Sequence, residues 1–170
     1  MKSAVFLLAL LLSGCATYQY QPKEYEIKSG RINELSISGP ISVTNSGNSD
    51  EIKIIYDDVM KWQAAYKEIS RALAEQLDNE ITKNGKMTGN KNKKLDIKIS
   101  RFYVDHSAFI FKAYSDFTIT GDNGFEKKFQ VTDITNSSVG GNIERTFNSA
   151  IAVSVLHILK DKSILEYLAN

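Results

Sequence analysis

The sequence predicts an α+β fold: a mainly antiparallel sheet with two principal helices packed on one face and a short C-terminal helix. Three observations carry this. Two segments, about residues 57–84 and 142–160, repeat apolar residues at spacings of three and four. Between them lie three runs that alternate apolar and polar residues, the period of a strand with one buried face. The connections carry hairpin chemistry, above all Asn123-Gly124 within GDNGF. Strands grouped around helices and joined by hairpins favour antiparallel pairing over alternating βαβ units.

In chain order, residues 24–56 are rich in β-branched residues, serine and glycine. Leu35-Ser36-Ile37-Ser38 alternates, Gly39-Pro40 breaks the run, and Ile41-Ser42-Val43-Thr44 alternates again, so two short strands or one bent strand are expected. Asn45–Asp50 is a loop by composition, and Ile52–Tyr56 reads as a further short strand. Asp57-Asp58 then suits the start of a helix, where acidic residues meet the positive end of the dipole. Its apolar face would run Trp62, Tyr66, Ile69, Leu73, Leu77, Ile81, and Gly85 would stop it.

The first long strand begins with Leu95, Ile97 and Ile99 on one face, but Phe102 and Val104 fall out of phase. A bulge near Ser100 or Arg101 explains the slip. The second strand sets Phe109, Phe111, Ala113, Ser115, Phe117 and Ile119 on one face, and the third runs from about Phe125 to Ile134. A loop, Asn136–Gly141, leads to the second helix, whose inner face is Ile143, Phe147, Ile151, Val155 and Ile158. From Ala150 to Leu159 that helix is apolar nearly all round. It is therefore buried on two sides, under Ile164–Leu168, or exposed to a partner. Ser163–Leu168 is the short terminal helix.

The N-terminal residues have another character. Lys2 precedes an apolar run, Ala4–Leu12, too short for a membrane span of about 20 residues but suited to a secretory signal. The run ends in Leu12-Ser13-Gly14-Cys15, which resembles the lipobox of bacterial lipoproteins. Cys15 is the chain's one cysteine, so no intrachain disulfide can account for it. The resemblance implies cleavage before Cys15 and acylation of it. Ala16, rather than Asp, points to the outer membrane with the domain facing the periplasm, in preference to inner-membrane retention. Three parts follow: a signal peptide at 1–14, a lipidated Cys15 with a tether over 15–23, and a single domain over 24–170. Eight extended residues after Cys15 would reach about 26–29 Å.

Charge narrows the function classes. The chain has 21 basic and 20 acidic residues, and removal of residues 1–14 takes away only Lys2, which balances them. That argues against nucleic acid as a partner. The order of elements from about residue 66 to 168 resembles YajG-type bacterial lipoproteins, through LAEQLDNEITKNG, LDIKISRFYVD, the GDNG hairpin and IERTFNSAIAVSVLHILKDKSILEYL. The resemblance implies an α+β envelope lipoprotein and supplies no catalytic residues.

Chemistry is sparse. Asp105-His106-Ser107 holds the residue types of a triad, but triad members converge from separate elements, so a turn is the simpler account. His157 sits among apolar helix neighbours, and two isolated histidines make a poor zinc site. No phosphate-binding glycine motif or calcium loop is present. No catalytic, metal or cofactor-binding residues are therefore assigned. The one electrostatic feature is KNGKMTGNKNKK, in which Lys83, Lys86, Lys91, Lys93 and Lys94 occur without an acid, either a patch for an anionic partner or a solvated loop. The leading expectation is a membrane-anchored, non-enzymatic accessory protein that binds an envelope protein or polymer. A carrier or sensor of a small apolar or lipidic ligand is second, and a hydrolase third.

Overall fold

Alternation turns the middle of the chain into three long strands, β7 (Lys93–Ser107), β8 (Ile110–Gly121) and β9 (Glu126–Asn136), paired antiparallel in sequence order. The computed structural model describes residues 16–47, 49–58, 60–136 and 143–170. The expected signal peptide, Cys15 and most of the Asn136–Gly141 loop lie outside the described residues.

The phase slip in β7 is a bulge: the register with β8 shifts between Ile99 and Arg101. It allows Leu95, Ile97 and Ile99 on one side of the bulge, and Phe102 and Val104 on the other, all to face the core. The β8–β9 connection is a turn with Gly124 at φ +83, where Gly121 N–H donates to the Phe125 carbonyl at 2.8 Å. The β7–β8 connection is tighter. Ser107 pairs with Ile110, leaving Ala108 and Phe109 as the turn, with Ala108 at φ 52.

Two helices cover one face of this sheet. The first, α1 (Tyr66–Asn84), buries Ile69, Leu73, Leu77 and Ile81 at helical spacing and ends at Gly85, whose extended backbone enters β6 (Gly85–Met87) directly. The second, α2 (Ile143–Ile158), buries all five residues of its expected inner face. A third, α3 (Lys162–Ala169), starts at Asp161, whose carboxylate accepts from Ser163 N–H at 2.9 Å and Ile164 N–H at 3.3 Å.

The short early strands pair with distant segments. β1 (Thr17–Gln19) runs parallel to β5 (Lys61–Ala65), which pairs antiparallel with β4 (Ile52–Asp57). β2 (Leu35–Ile37) runs parallel to β6, and β3 (Ile41–Thr44) parallel to β7 as the edge of a four-stranded sheet ordered β3-β7-β8-β9.

Three expectations need correction. The first helix begins at Tyr66, not at Asp57-Asp58, because residues 52–65 form the β4–β5 hairpin. Trp62 is therefore a strand residue. It is buried all the same, with its ring stacked on Tyr18 at 5.1 Å and edge-on to Phe147 at 5.9 Å. Its indole N–H has no hydrogen-bond partner among the described residues.

The tether is the second correction. Residues 16–23 belong to the fold: Tyr20 is only 1% exposed, and its backbone N–H donates to the Gln63 carbonyl at 2.9 Å. Its hydroxyl donates to Asn148 Oδ1 on α2 at 2.7 Å, and Lys23 N–H donates to the same oxygen at 2.9 Å. A tether is favoured only when its side chains have nothing to pack on, and here the Tyr20 ring lies 4.7 Å from Phe147. The chain continues as a strap: buried Gln76 on α1 donates to the Tyr25 carbonyl at 2.7 Å, and Ile27 is buried. This strap adds to the burial of α2, which lies against the sheet, α1 and residues 20–23 and leaves only Arg145 and His157 exposed. The α3 segment expected to cover α2 packs chiefly on β2 instead, where Ser38 N–H donates to the Leu168 carbonyl at 2.9 Å.

Candidate functional site

The lysine-rich stretch is ordered and divided. Thr88 N–H donates to the Ile37 carbonyl at 2.7 Å and Lys91 N–H to the Ser38 carbonyl at 3.0 Å, so residues 85–93 run along β2 and the turn after it. Lys83 lies 3.7 Å from Glu80 on the same helix, and Lys86 and Lys94 are exposed. Lys91 Nζ donates to the Asn170 carbonyl at 3.2 Å. Lys93 is the outlier, at only 6% exposed. Its ammonium donates to the Tyr167 carbonyl and, at 3.2 Å, to the Leu168 carbonyl, and it sits 4.9 Å from the centre of the Tyr167 ring.

Lys93 therefore neutralises the carbonyl end of α3, where a cation is stabilising. Burial lowers its pKa, Lys91 lowers it further, and Asp122 acts the other way. The Tyr167 hydroxyl lies 2.8 Å from Asp122 Oδ1, to which it donates. Burial and that hydrogen bond push the phenol up to about 12. A cleft of about 320 Å³ opens here, lined by Lys91, Asp122, Phe125, Glu166 and Tyr167 among others. Several of its polar groups already hold α3 to the sheet, and that tie is the chemistry it performs in the structure.

Asp105, His106 and Ser107 lie at the end of β7, not in a turn. His106 Nδ1 is 2.9 Å from Asp58 Oδ2, and Tyr56 donates to the same oxygen at 3.3 Å. The His106 ring also packs against Phe111 at 4.6 Å. Burial, with Asp58 next, holds the Tyr56 phenol up at about 12. Sequence reasoning missed this group because it placed Asp58 at a helix start. In the fold, Asp58 joins the β4–β5 turn to the tip of the β7–β8 hairpin. Ser107 pairs with Ile110 across the hairpin. Among the described residues, no group of three or more His, Cys, Asp or Glu side chains could hold a metal ion. His157 is exposed on α2.

The same end of the molecule holds Ala16, the first described residue. Lys61 N–H, beside the β4–β5 turn, donates to the Ala16 carbonyl at 3.1 Å. Toward this end several large apolar side chains are left in solvent: Tyr18 at 44%, Phe109 at 68% and Ile134 at 62% exposed, with Met60 and Ile110 also exposed. Ile110 and Ile134 are diagonal neighbours across β8 and β9, since Lys112 pairs with Ile134 and Ile110 with Asn136. Spacing alone does not single these residues out. Alternation assigned Phe109 to the buried face, whereas the two-residue turn puts it at the tip.

The chain matches no family profile and no curated protein. Its fold is similar to the crystal structure of protein XCC0632 from Xanthomonas campestris, described as DUF330. The TM-score is 0.57 at 13% identity, covering 90% of this chain and 97% of that one. At that identity the likeness is one of fold. A hemagglutinin homologue from Helicobacter pylori matches with a TM-score of 0.35 at 12% identity, over 86% of this chain and 94% of that one. A minor lipoprotein from Acinetobacter baumannii matches with a TM-score of 0.33 at 12% identity, over 78% of this chain and 92% of that one. At those scores neither likeness carries an argument about role.

Proposed function

We propose that this protein is a bacterial envelope lipoprotein, acylated at Cys15 and held on the outer membrane with its domain in the periplasm, and that it acts by binding an envelope protein or polymer rather than by catalysis. The observation that carries this reading is the join between anchor and fold. The LSGC segment ends at the residue before Ala16, and Ala16 is already hydrogen-bonded into the domain at Lys61. Acyl chains contribute about 0.8 kcal/mol per buried methylene, so two or three chains on Cys15 would make attachment effectively permanent. The likeness of layout to YajG-type lipoproteins supports the same assignment.

The carrier reading fits less well. Phe102, Phe117, Phe147, Leu73 and Leu77 fill the space between sheet and helices, each less than 2% exposed. The lysines divide in the same spirit. Lys86 and Lys94 remain available to an anionic partner, while Lys93 serves the fold.

The test is Cys15→Ser. The variant is expected to leave the membrane fraction and appear soluble in the periplasm, with the parent chain retained by membranes. Equal membrane retention of both would refute the anchor. Crosslinking in cells from Lys86 and Lys94 is expected to capture an envelope component. Unchanged capture after substitution of both by Gln would remove them from the binding surface.

A further inference from the structure

Among the described residues, most of the large apolar side chains left in solvent gather at one end of the molecule. Tyr18, Met60, Phe109, Ile110 and Ile134 belong to this group, and Ile52, Ile54 and Met87 are the others. The gathering follows from three contacts. Ala16 is bonded to Lys61, which places Met60 and Tyr18 beside the entry of the chain. Asp58, in the same turn, lies against His106. Tyr56 meets Phe111 edge-on at 6.1 Å, so the β4–β5 turn and the β7–β8 tip are neighbours.

We infer that this end is a membrane-docking surface: with the acyl chains of Cys15 in the leaflet, the turn carrying Met60 and the Ala108-Phe109 tip rest in the same interface, with Phe109 and Ile110 among the headgroups and upper acyl chains. The inference rests on the lipoprotein reading of Cys15. Its occupant is the lipid surface for a geometric reason. Consecutive Cα atoms are about 3.8 Å apart and Ala16 is hydrogen-bonded to Lys61, so an anchor on the preceding residue leaves only a short link between the domain and the bilayer. Whatever surrounds Ala16 meets the leaflet first.

The side chains found there suit that position. Aromatic and large aliphatic residues gain from partial immersion, and Lys61 and Lys112 beside them can keep their ammonium groups in water while their stems lie along apolar surface. Ala108 at positive φ is a backbone position that favours glycine, and it projects Phe109 from the tip at 68% exposure. The domain then stands on the membrane in one orientation instead of swinging on a leash. The GDNG turn faces away, because Glu126 pairs with Thr120, ten positions along β8 from Ile110 and so about 34 Å distant along the strand.

The test uses the full-length lipidated protein in phosphatidylethanolamine–phosphatidylglycerol vesicles. Cys15 is the only cysteine and its sulfur is blocked by acylation, so Phe109→Cys and Glu126→Cys each accept one environment-sensitive fluorophore. A label at 109 is expected to shift to shorter wavelength on reconstitution and to lose emission to lipid-borne nitroxides, while one at 126 keeps its aqueous spectrum. If the protein floats with vesicles but the label at 109 stays aqueous and open to iodide, docking is overturned and the anchor stands. If the label at 109 is shielded from iodide but untouched by lipid nitroxides, another protein or a second copy covers the tip, and lipid is overturned as occupant. Failure of both labelled proteins to float overturns the anchor and the docking with it.

Discussion

Tyr20 offers a direct trial of the strap. Replacement by alanine removes a ring that is 1% exposed and packed on Phe147, together with its hydrogen bond to Asn148. A buried aromatic side chain takes about 150–250 Å² out of water. At about 25 cal/mol per Å² that corresponds to roughly 4–6 kcal/mol. Large-to-small aromatic substitutions in cores cost about 3–5 kcal/mol, and loss of the hydrogen bond adds about 1 kcal/mol. Tyr20→Ala is therefore expected to cost about 4–6 kcal/mol, a large share of the 5–15 kcal/mol typical of a domain. Tyr20→Phe keeps the ring. Asn148 Oδ1 also keeps the Lys23 N–H at 2.9 Å, so only about 1 kcal/mol should be lost. Urea unfolding followed by the fluorescence of Trp62, the single tryptophan, measures both. With a denaturant slope near 2 kcal/mol per molar, the alanine variant should shift the midpoint down by about 2–3 M. A strap that peels away on its own would cap the global loss, and fast hydrogen exchange at the Tyr20 amide, bonded to Gln63, would reveal that. A Tyr20→Ala midpoint matching that of Glu24→Ala, an exposed control, would refute the packing argument.

Trp62→Ala should destabilise by about 3–5 kcal/mol, whereas Trp62→Phe should cost far less because it also removes a buried indole N–H that has no partner among the described residues, and differential scanning calorimetry separates the two. Asp161 is buried enough to raise its pKa, but its pairing with Lys127 and the N–H groups of Ile164 and Ser163 outweighs this and holds the carboxyl below its ordinary value. Asp96 behaves alike, with burial opposed by hydrogen bonds from Thr44 and Ser46. For such groups the stabilisation is present above the unfolded value near 3.8 and lost as pH falls through the lower folded value. Asp161→Asn and Asp96→Asn should each flatten the acid limb of a stability–pH curve below about pH 4, and an unchanged limb would contradict the assignment. Ala108→Gly should raise stability by about 0.5–1 kcal/mol, since it relieves a positive φ of 52, and a fall in melting temperature would count against that.

Much of the fold was legible because it is local. The two-residue period exposed β7 and β8, and its slip located the bulge before Arg101. The helical spacing of Ile143, Phe147, Ile151, Val155 and Ile158 marked the buried face of α2. The misreadings share a cause in long-range pairing. Trp62 continues the spacing of α1 by coincidence, but Trp62 and Ala64 are also buried at period two, the signal of the strand they occupy. Tyr18 and Tyr20 alternate with glutamine in the supposed tether, yet only β5 and Asn148, far along the chain, make that alternation meaningful. Lys93 looks like its neighbours until α3 brings two carbonyls to it from more than seventy residues away. The Asp58–His106 contact was hidden for the same reason.

Those distant pairings also order events in time. β1, β2 and β3 each lie parallel to a strand made later, β5, β6 and β7, and parallel partners brought together across long loops form slowly. Until β5 arrives, Ala16 has no Lys61 to hold it. Once β1 is seated, Ala16 is clasped into the sheet. On the lipoprotein reading, cleavage and acylation of Cys15 belong to the interval before that clasp closes, and a variant that hastens β1–β5 pairing would mature less completely.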